Sequence, residues 1–415
     1  MALTYQQSRI VRGTIPALRE HGERITSIFY RNMLTEHPEL NNYFNSVNQK
    51  NGRQPRALTA VILDFAANVN HISELIPKLE RMCNKHCSLG IRPEHYEIVG
   101  RYLIAAFAEV LGPAMTPDAL VAWNKAYWVL AKMLIGREAQ LYRDFDRWTG
   151  GRQFKVDRKV AETDEIYSFY LVPADKKRLP DFMPGQYVSV RIHVPDVGYV
   201  QSRQYSLSDA PRSDYYRISI KRDQGTAYAN SVAQSYLNPG LVSNFLIDCV
   251  EAGDSVEVTH PAGEFFLDTN NSSSVPLVLI SAGVGVAPMV SILNTVMETQ
   301  PGRSVSWIHG SRSIIPFEDH VRQAKRRLPG LRTNVFKTHL ADGDLVGVTY
   351  DYDFRVDLAK VDPDDLFLSH GGTEYYICGP EQFMLEMADY IKAQGVDVSR
   401  VKFELFSTGD MAFSK

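Results

Sequence analysis

The stretch Ile72-Ser-Glu-Leu-Ile-Pro-Lys-Leu-Glu-Arg-Met-Cys-Asn-Lys-His86 sets apolar residues at helical spacing and then places an imidazole on the same stripe. Ile72, Leu75, Ile76, Leu79, Met82 and Cys83 fall three or four residues apart, which predicts an amphipathic helix with His86 on its apolar face. A neutral imidazole against a core is costly unless its nitrogens find partners. A haem iron is one such partner. A satisfied core or helix-end histidine is the other reading, and this stretch alone leaves both open. His71 and His95 are rivals in loop-like positions.

Outward from this helix, residues 1–148 keep the same three-and-four spacing. Helices are expected near 4–20, 24–37, 56–69, 72–87, 94–111 and 117–146, punctuated by Pro38, Gly52, Pro77, Pro93, Gly112-Pro113 and Pro117. After Trp148-Thr-Gly-Gly151 the period changes. Phe154-Lys-Val156, Ile166-Tyr-Ser-Phe-Tyr-Leu171, Gln186-Tyr-Val-Ser-Val-Arg-Ile192 and Tyr216-Arg-Ile-Ser-Ile220 read as short strands with turn residues between them, the pattern of an antiparallel barrel or sandwich. From Val275 onward, buried strands (Leu277-Val-Leu-Ile280, Val305-Ser-Trp-Ile-His309, Tyr375-Tyr-Ile-Cys378) alternate with helix-like runs, which predicts a parallel α/β sheet. The chain is therefore expected to be multidomain: an all-α domain over 1–148, a linker at 149–152, an antiparallel β-barrel over 153–268, and an α/β domain over 275–415.

Bulk properties agree with several packed cores. The 415 residues are 44% hydrophobic and 22% charged, with a net charge of −3, so no global basic field draws nucleic acid or an anionic membrane. Cys83, Cys87, Cys249 and Cys378 show neither CxxC spacing nor a disulfide framework. The opening MALTYQQSRIVRG lacks a leader's apolar core, and no run reaches the 18 apolar residues of a membrane span. A cytoplasmic protein, working as a monomer with reduced thiols, is expected.

Two further residues interrupt apolar stripes in the helical part. Gln54 precedes Leu58, Ile62, Phe65 and Val69 on one face, and Glu138 continues Tyr127, Ala131 and Leu134. A carboxylate that bonds an imidazole makes it a stronger donor to a metal. Surface pairing of Glu138 with Arg137 or Lys132 is the competing reading. Tyr96 heads a stripe with Val99, Leu103 and Ala106. Tyr30 sits on an earlier helix, and Phe44 follows Tyr43 in a loop-like stretch.

The order Tyr30, Phe44, Gln54, Leu58, Lys85-His86, Tyr96, Glu138 resembles the globin domain of the flavohaemoglobins, as do Asn48-Gln-Lys-Asn-Gly-Arg-Gln54, Pro93-Glu-His-Tyr96 and Arg137-Glu-Ala139. The resemblance implies haem b with His86 as its proximal ligand and Tyr96 and Glu138 as proximal partners. It puts Tyr30, Gln54 and Leu58 in the distal pocket, Phe44 against the haem, and Lys85 near the haem edge that faces a flavin. Pro55 departs from the expected family text.

In the barrel, Arg203-Gln-Tyr-Ser206 suits a flavin. An arginine forks onto a pyrophosphate, a tyrosine packs on the ring system, and a serine bonds its edge. A plain strand with a surface arginine is the alternative. With Pro184-Gly-Gln-Tyr187 upstream and Gly240-Leu-Val-Ser-Asn244 downstream, the order resembles the ferredoxin–NADP reductase superfamily. That implies FAD contacts at Tyr187, Arg203, Gln204, Tyr205 and Ser206. It also puts the pyrophosphate at Val242, Ser243 and Asn244, where a helix opens. The intervening Asp223–Ser231 stretch is longer than the compact form of that superfamily. Downstream, Ser281-Ala-Gly-Val-Gly-Val-Ala-Pro-Met289 is a glycine-rich strand-to-helix turn (Gly283, Val284, Gly285, Val286, Ala287, Pro288). It suits a dinucleotide diphosphate or, equally, tight packing. Cys378, Gly379 and Pro380 end a second strand at the edge where such ligands bind. Phe403-Glu-Leu-Phe-Ser407 resembles the reductase tail, with Glu404 and Phe406 at the flavin and Ser407 in place of a glycine.

Together these resemblances imply an electron path from NAD(P)H through FAD to haem, and a nitric oxide dioxygenase that turns NO and O2 into nitrate. The alternatives are an NAD(P)H-dependent reductase of O2, peroxides or ferric haem, and a non-enzymatic oxygen carrier or sensor. NADH versus NADPH stays open: Arg312 follows the Val305–His309 strand, where reach to a 2′-phosphate and plain solvation are both compatible with the sequence.

Overall fold

The computed structural model describes residues 2–44, 53–145, 148–195, 198–225, 227–228, 236–237, 239–269 and 275–406. The first part is all helix: α1 (Tyr5–Gly13), α2 (Ile15–Glu36), α3 (Arg53–Ala67), α4 (Ile76–Leu89), α5 (Pro93–Leu111) and α6 (Pro117–Asp144). Local chemistry sets their ends. Thr4 and Gln7 form a capping box on α1, and Thr116 Oγ1 caps α6 by accepting the Ala119 amide at 3.2 Å. Gly90, at φ +78°, ends α4 in the left-handed conformation that a side chain disfavours. The break between α1 and α2 lies at Thr14, not at 20–24, because Pro16 seats in the first turn of α2, where its missing N–H costs nothing. Ile72–Leu75 is a separate 3-10 turn, so the stripe expected over 72–86 is divided. Ile76 is 55% exposed, while Leu75, Leu79 and Cys83 are buried.

The second part is a six-stranded antiparallel sheet in the order β4-β3-β8-β1-β2-β5. It is built from β1 (Arg152–Ala161), β2 (Ile166–Pro173), β3 (Tyr187–His193), β4 (Val200–Ser206), β5 (Tyr216–Lys221) and β8 (Ser255–Val258). A bridge between Leu207 and Ile218 joins the two edges, closing a barrel around Phe154, Phe169, Val188, Val190 and Ile220. Two short strands, β6 (Ala227–Tyr228) and β7 (Tyr236–Leu237), precede the helix α7 (Leu241–Cys249).

The third part is a five-stranded parallel sheet in the order β11-β10-β9-β12-β13. Its strands are β9 (Leu277–Ala282), β10 (Val305–Ser311), β11 (Leu331–Lys337), β12 (Glu374–Cys378) and β13 (Val401–Glu404). The helices α8 (Val286–Thr299), α9 (Glu318–Arg327) and α10 (Glu381–Ala393) connect them. Period-two alternation divides the strand side chains between two cores. Leu277, Leu279, Trp307 and Tyr376 pack toward α8, and Val278, Ile280, Ile308 and Ile377 pack toward α10. β11 and β13 escaped the sequence reading because charged and polar residues interrupt both.

Candidate functional site

α4 delivers His86 in its last turn, just before the Gly90 stop. His86 Nδ1 lies 2.8 Å from Glu138 Oε1 and 2.9 Å from Tyr96 Oη, and the Tyr96 hydroxyl donates to the same Glu138 oxygen at 2.5 Å. Because the phenol's single proton goes to the carboxylate, both contacts at Nδ1 require a proton on that nitrogen. The neutral tautomer then keeps its lone pair on Nε2, which makes no hydrogen bond among the described residues. The His86 side chain is 29% exposed, whereas that of Glu138 is 4% exposed. This is the donor arrangement of a histidine that ligates a metal through Nε2. Burial, then the Glu138 charge, pushes the Tyr96 phenol up, so it stays protonated. Tyr127 Oη holds the Tyr96 carbonyl at 2.5 Å, which fixes α5 against α6.

Tyr30, on α2, is buried and hydrogen-bonds the Gln54 side chain at the start of α3; burial raises its phenol. Phe44 meets Tyr30 edge-on at 5.5 Å between ring centroids, and Leu58 packs into the same core. Pro55 lies in the first turn of α3, a position that needs no N–H, and its carbonyl accepts from Thr26 Oγ1 at 3.0 Å.

The polar side of α4 meets the barrel. Asn84 Oδ1 accepts the Gly263 amide at 3.0 Å, Arg81 Nε lies 3.3 Å from Glu264 Oε1, and Tyr187 hydrogen-bonds Ser88. Lys85 and Glu404 lie within electrostatic reach of each other at this seam. Burial, with the nearby Glu264 charge, pushes the Glu404 carboxyl up to about 8. Arg81, Asn84, Ser88 and Glu264 had no place in the sequence reading. Their signal was present, since 81, 84, 85 and 88 follow helical spacing, but a polar stripe reads as a solvated face.

In the barrel, Arg203 is half-buried and its Nη1 donates to Ser202 O at 2.8 Å; desolvation lowers its pKa. Gln204 Nε2 donates to Ser189 Oγ at 3.3 Å. Tyr205 Oη and Ser206 Oγ are buried without a hydrogen-bond partner among the described residues. Buried hydroxyls without partners are rare in finished structures, so this adjacent pair fits a polar ligand such as a flavin. Val242 is buried at the opening of α7, and Ser243 stands in its first turn. The Asn244 side chain is committed to the Asp223 backbone, accepting its N–H at 3.0 Å and donating to its carbonyl at 2.9 Å. Phe406 is 51% exposed. Ser407 lies outside the described residues.

At the carboxyl edge of the parallel sheet, Gly283–Gly285 make a 3-10 turn that leads directly into α8. Gly283 has φ +55° with open space where a Cβ would stand, so backbone there is accessible to a ligand. A Cβ on Gly285 would lie 2.3 Å from the Cys378 carbonyl, so that glycine serves packing of the turn onto β12. Val284 is partly buried; Val286, Ala287 and Pro288 are buried in the first turn of α8; and Gly379-Pro380 leads from β12 into α10. Cys378 is fully buried, and its thiol is pushed up by desolvation. No helix among the described residues is long and apolar enough to cross a membrane.

Comparison with known proteins agrees with this layout. Residues 27–134 match the globin family and residues 279–389 match the oxidoreductase NAD-binding domain. The chain is 42% identical to the flavohemoprotein of Bordetella parapertussis over 411 residues, covering 97% of this chain and 98% of that one. It is 38% identical to that of Bacillus subtilis, covering 96% of each. The crystal structure of the Malassezia yamatoensis flavohemoglobin with bound FAD and heme superposes with a TM-score of 0.82 at 29% identity, over 98% of this chain and all of that one. The FAD/NAD-binding domain of nitric oxide dioxygenase from Vibrio cholerae matches 61% of this chain and 98% of that one, at 34% identity and a TM-score of 0.52. A helical domain with an anchored imidazole, a closed barrel and a parallel sheet, matched end to end by these relatives, place the chain in the flavohaemoprotein family as an oxidoreductase.

Proposed function

We propose that this chain is a nitric oxide dioxygenase that uses haem b, FAD and NAD(P)H. Two NO and two O2, with one NAD(P)H, give two nitrate ions, NAD(P)+ and one proton. When bound, the haem supplies the iron at which NO and O2 combine, and the flavin divides the electron pair of one hydride into single electrons. The Malassezia relative, with its bound FAD and heme, and the Vibrio domain, which belongs to a nitric oxide dioxygenase, support the reading.

The observation that carries it is the Glu138–His86–Tyr96 network on the helix whose opposite side meets the flavin barrel. Glu138 draws on the proton at His86 Nδ1, which raises the basicity of Nε2 toward a metal. Tyr96 shares the carboxylate and stops the imidazole from rotating. Tyr30 and Gln54 supply a hydroxyl and an amide in a pocket that Phe44 and Leu58 keep apolar. Asn84, Arg81 and Ser88 hold α4 against the barrel, so His86 and the flavin-site residues keep a fixed separation. Tyr187, Arg203–Ser206, Val242–Asn244, Glu404 and Phe406 are assigned to FAD, and Gly283–Pro288 with Cys378–Pro380 to the nucleotide. The haem, flavin and nucleotide modules are assigned to 1–148, 153–268 and 275–415.

The test is aerobic NO consumption by the haem- and FAD-loaded protein with NADH, with nitrate counted against NO lost. Rapid, cyanide-sensitive loss with near-equal nitrate is the expected result. NADH oxidation without NO loss would sink the dioxygenase reading and leave a reductase.

A further inference from the structure

The sheet order fixes which end of a dinucleotide lies where. β13 ends at Glu404, within electrostatic reach of Lys85 and Arg81 on α4, so the β12–β13 side of the sheet faces the flavin barrel. A hydride donor must point its nicotinamide to that side, and its diphosphate then crosses the Gly283–Gly285 turn after β9. The adenosine is left over the ends of β10 and β11, about 10 to 14 Å from β12 at the usual strand spacing.

At that far edge, Lys337, the last residue of β11, pairs in register with Ser311, the last residue of β10. Its Nζ lies 2.5 Å from Asp344 Oδ1, and the two side chains are only 7% and 9% exposed. The other Asp344 oxygen accepts the Ala341 amide at 2.8 Å. The loop that holds Asp344 is tied to the loop after β10, because His339 N donates to Arg312 O at 2.7 Å. Lys337 is the group best placed on β11 to receive a phosphate on the adenosine ribose, yet its charge is already matched and covered by a carboxylate. Arg312 is exposed, and a single solvated arginine contributes little to an anion in water.

We propose that Asp344, by closing Lys337 into this ion pair, makes the nucleotide site select NADH over NADPH. A 2′-phosphate arriving there would meet the Asp344 carboxylate in place of a free ammonium, a repulsive device against the wrong ligand. The inference rests on the reading of this edge as the hydride donor's site.

The experiment is calorimetric titration of the full-length protein, loaded with haem and FAD, with adenosine 2′,5′-bisphosphate and with 5′-AMP as probes. The wild type should bind the bisphosphate no more tightly than AMP. Asp344→Asn, nearly isosteric and still able to accept from Ala341, should tighten the bisphosphate by about tenfold with AMP unchanged. Adding Lys337→Gln should remove that gain. A wild type that prefers the bisphosphate, or an Asp344→Asn protein with an unaltered preference, would overturn the proposal while flavin reduction by NADH stayed intact. Failure of both probes to bind, together with no flavin reduction by NADH, would overturn the donor-site reading and the proposal with it.

Discussion

Glu138 shows how much one buried side chain decides. It lies on α6, 52 residues from His86, yet it takes hydrogen bonds from both His86 and Tyr96. Replacing it with Gln keeps the size and one acceptor but removes the negative charge. The imidazole should then donate less to a metal, the haem midpoint potential should rise, and NO turnover should fall by roughly 10- to 100-fold. Spectroelectrochemical titration of the Glu138→Gln protein checks the first effect; an unmoved potential would reduce Glu138 to packing. The spacing of Tyr127, Ala131, Leu134 and Glu138 was readable as one helix face. What the carboxylate touched was not, since Arg137 and Lys132 were both far nearer in sequence than His86 or Tyr96. In the fold Arg137 instead binds Glu80 through two hydrogen bonds of 2.7 Å, which leaves Glu138 to the interior.

At the scale of elements, β9, β10 and β12 form the part of the parallel sheet to whose carboxyl edge the nucleotide is assigned in the proposed function. Gly285→Ala would drive a Cβ into the Cys378 carbonyl, backbone that cannot rotate away. The substitution should cost about 1–3 kcal/mol of stability and raise the KM for NADH, measured by denaturant unfolding and by the kinetics of flavin reduction. One strand further, His309 is fully buried in β10. Its Nδ1 bonds Ser281 Oγ at 2.9 Å, its Nε2 has no partner among the described residues, and burial pushes its pKa down to about 4. The folded state thus resists the proton that the unfolded chain takes up below its ordinary histidine pKa. Stability from this group is complete above about 6.5 and is lost as pH falls toward 4. The unfolding midpoint should drop between pH 7 and pH 5 in the wild type. It should drop less in His309→Gln, which retains a bond to Ser281; equal slopes would rule out His309 as the source.

Across the whole molecule, polar contacts join parts whose cores are separate. Between barrel and nucleotide sheet, Asp209 accepts from Asn294 Nδ2 at 2.7 Å and its carbonyl accepts from Ser291 Oγ at 2.7 Å; Tyr215 Oη on the barrel side bonds the same carboxylate at 2.8 Å, and His320 Nε2 on the sheet side meets Asn294 Oδ1 at 2.6 Å. Arg217 lies 3.8 Å from the Asp209 carboxylate and is itself buried. Asp209→Ala would leave that guanidinium without this counter-charge and remove the Asn294 bond, so α8 would be held to the barrel only by the Ser291 bond to the backbone carbonyl, the Arg212–Glu298 pair and apolar packing. It should cost about 3 kcal/mol and split reductase unfolding into two transitions, followed by calorimetry with flavin fluorescence as a second probe. A single transition with unchanged midpoint would mean that the two parts are held by something else.

The sequence by itself determined the order and type of the three parts. Hydrophobic period and turn chemistry act over a few residues, and the changes near Gly151 and Val275 mark where one kind of core gives way to the next. It also determined that His86 stands at a helix end and that a glycine-rich turn opens α8. Only the tertiary structure decided what the polar faces meet. Asn84 reaches Gly263 across 179 residues, Asp209 reaches Asn294 across 85, and Ile76 turns outward although its spacing matched the apolar stripe. The physical reason is that periodicity records which side of an element avoids water. A hydrogen bond or a buried charge pair between distant segments depends on how those segments close in space, and no local pattern encodes that.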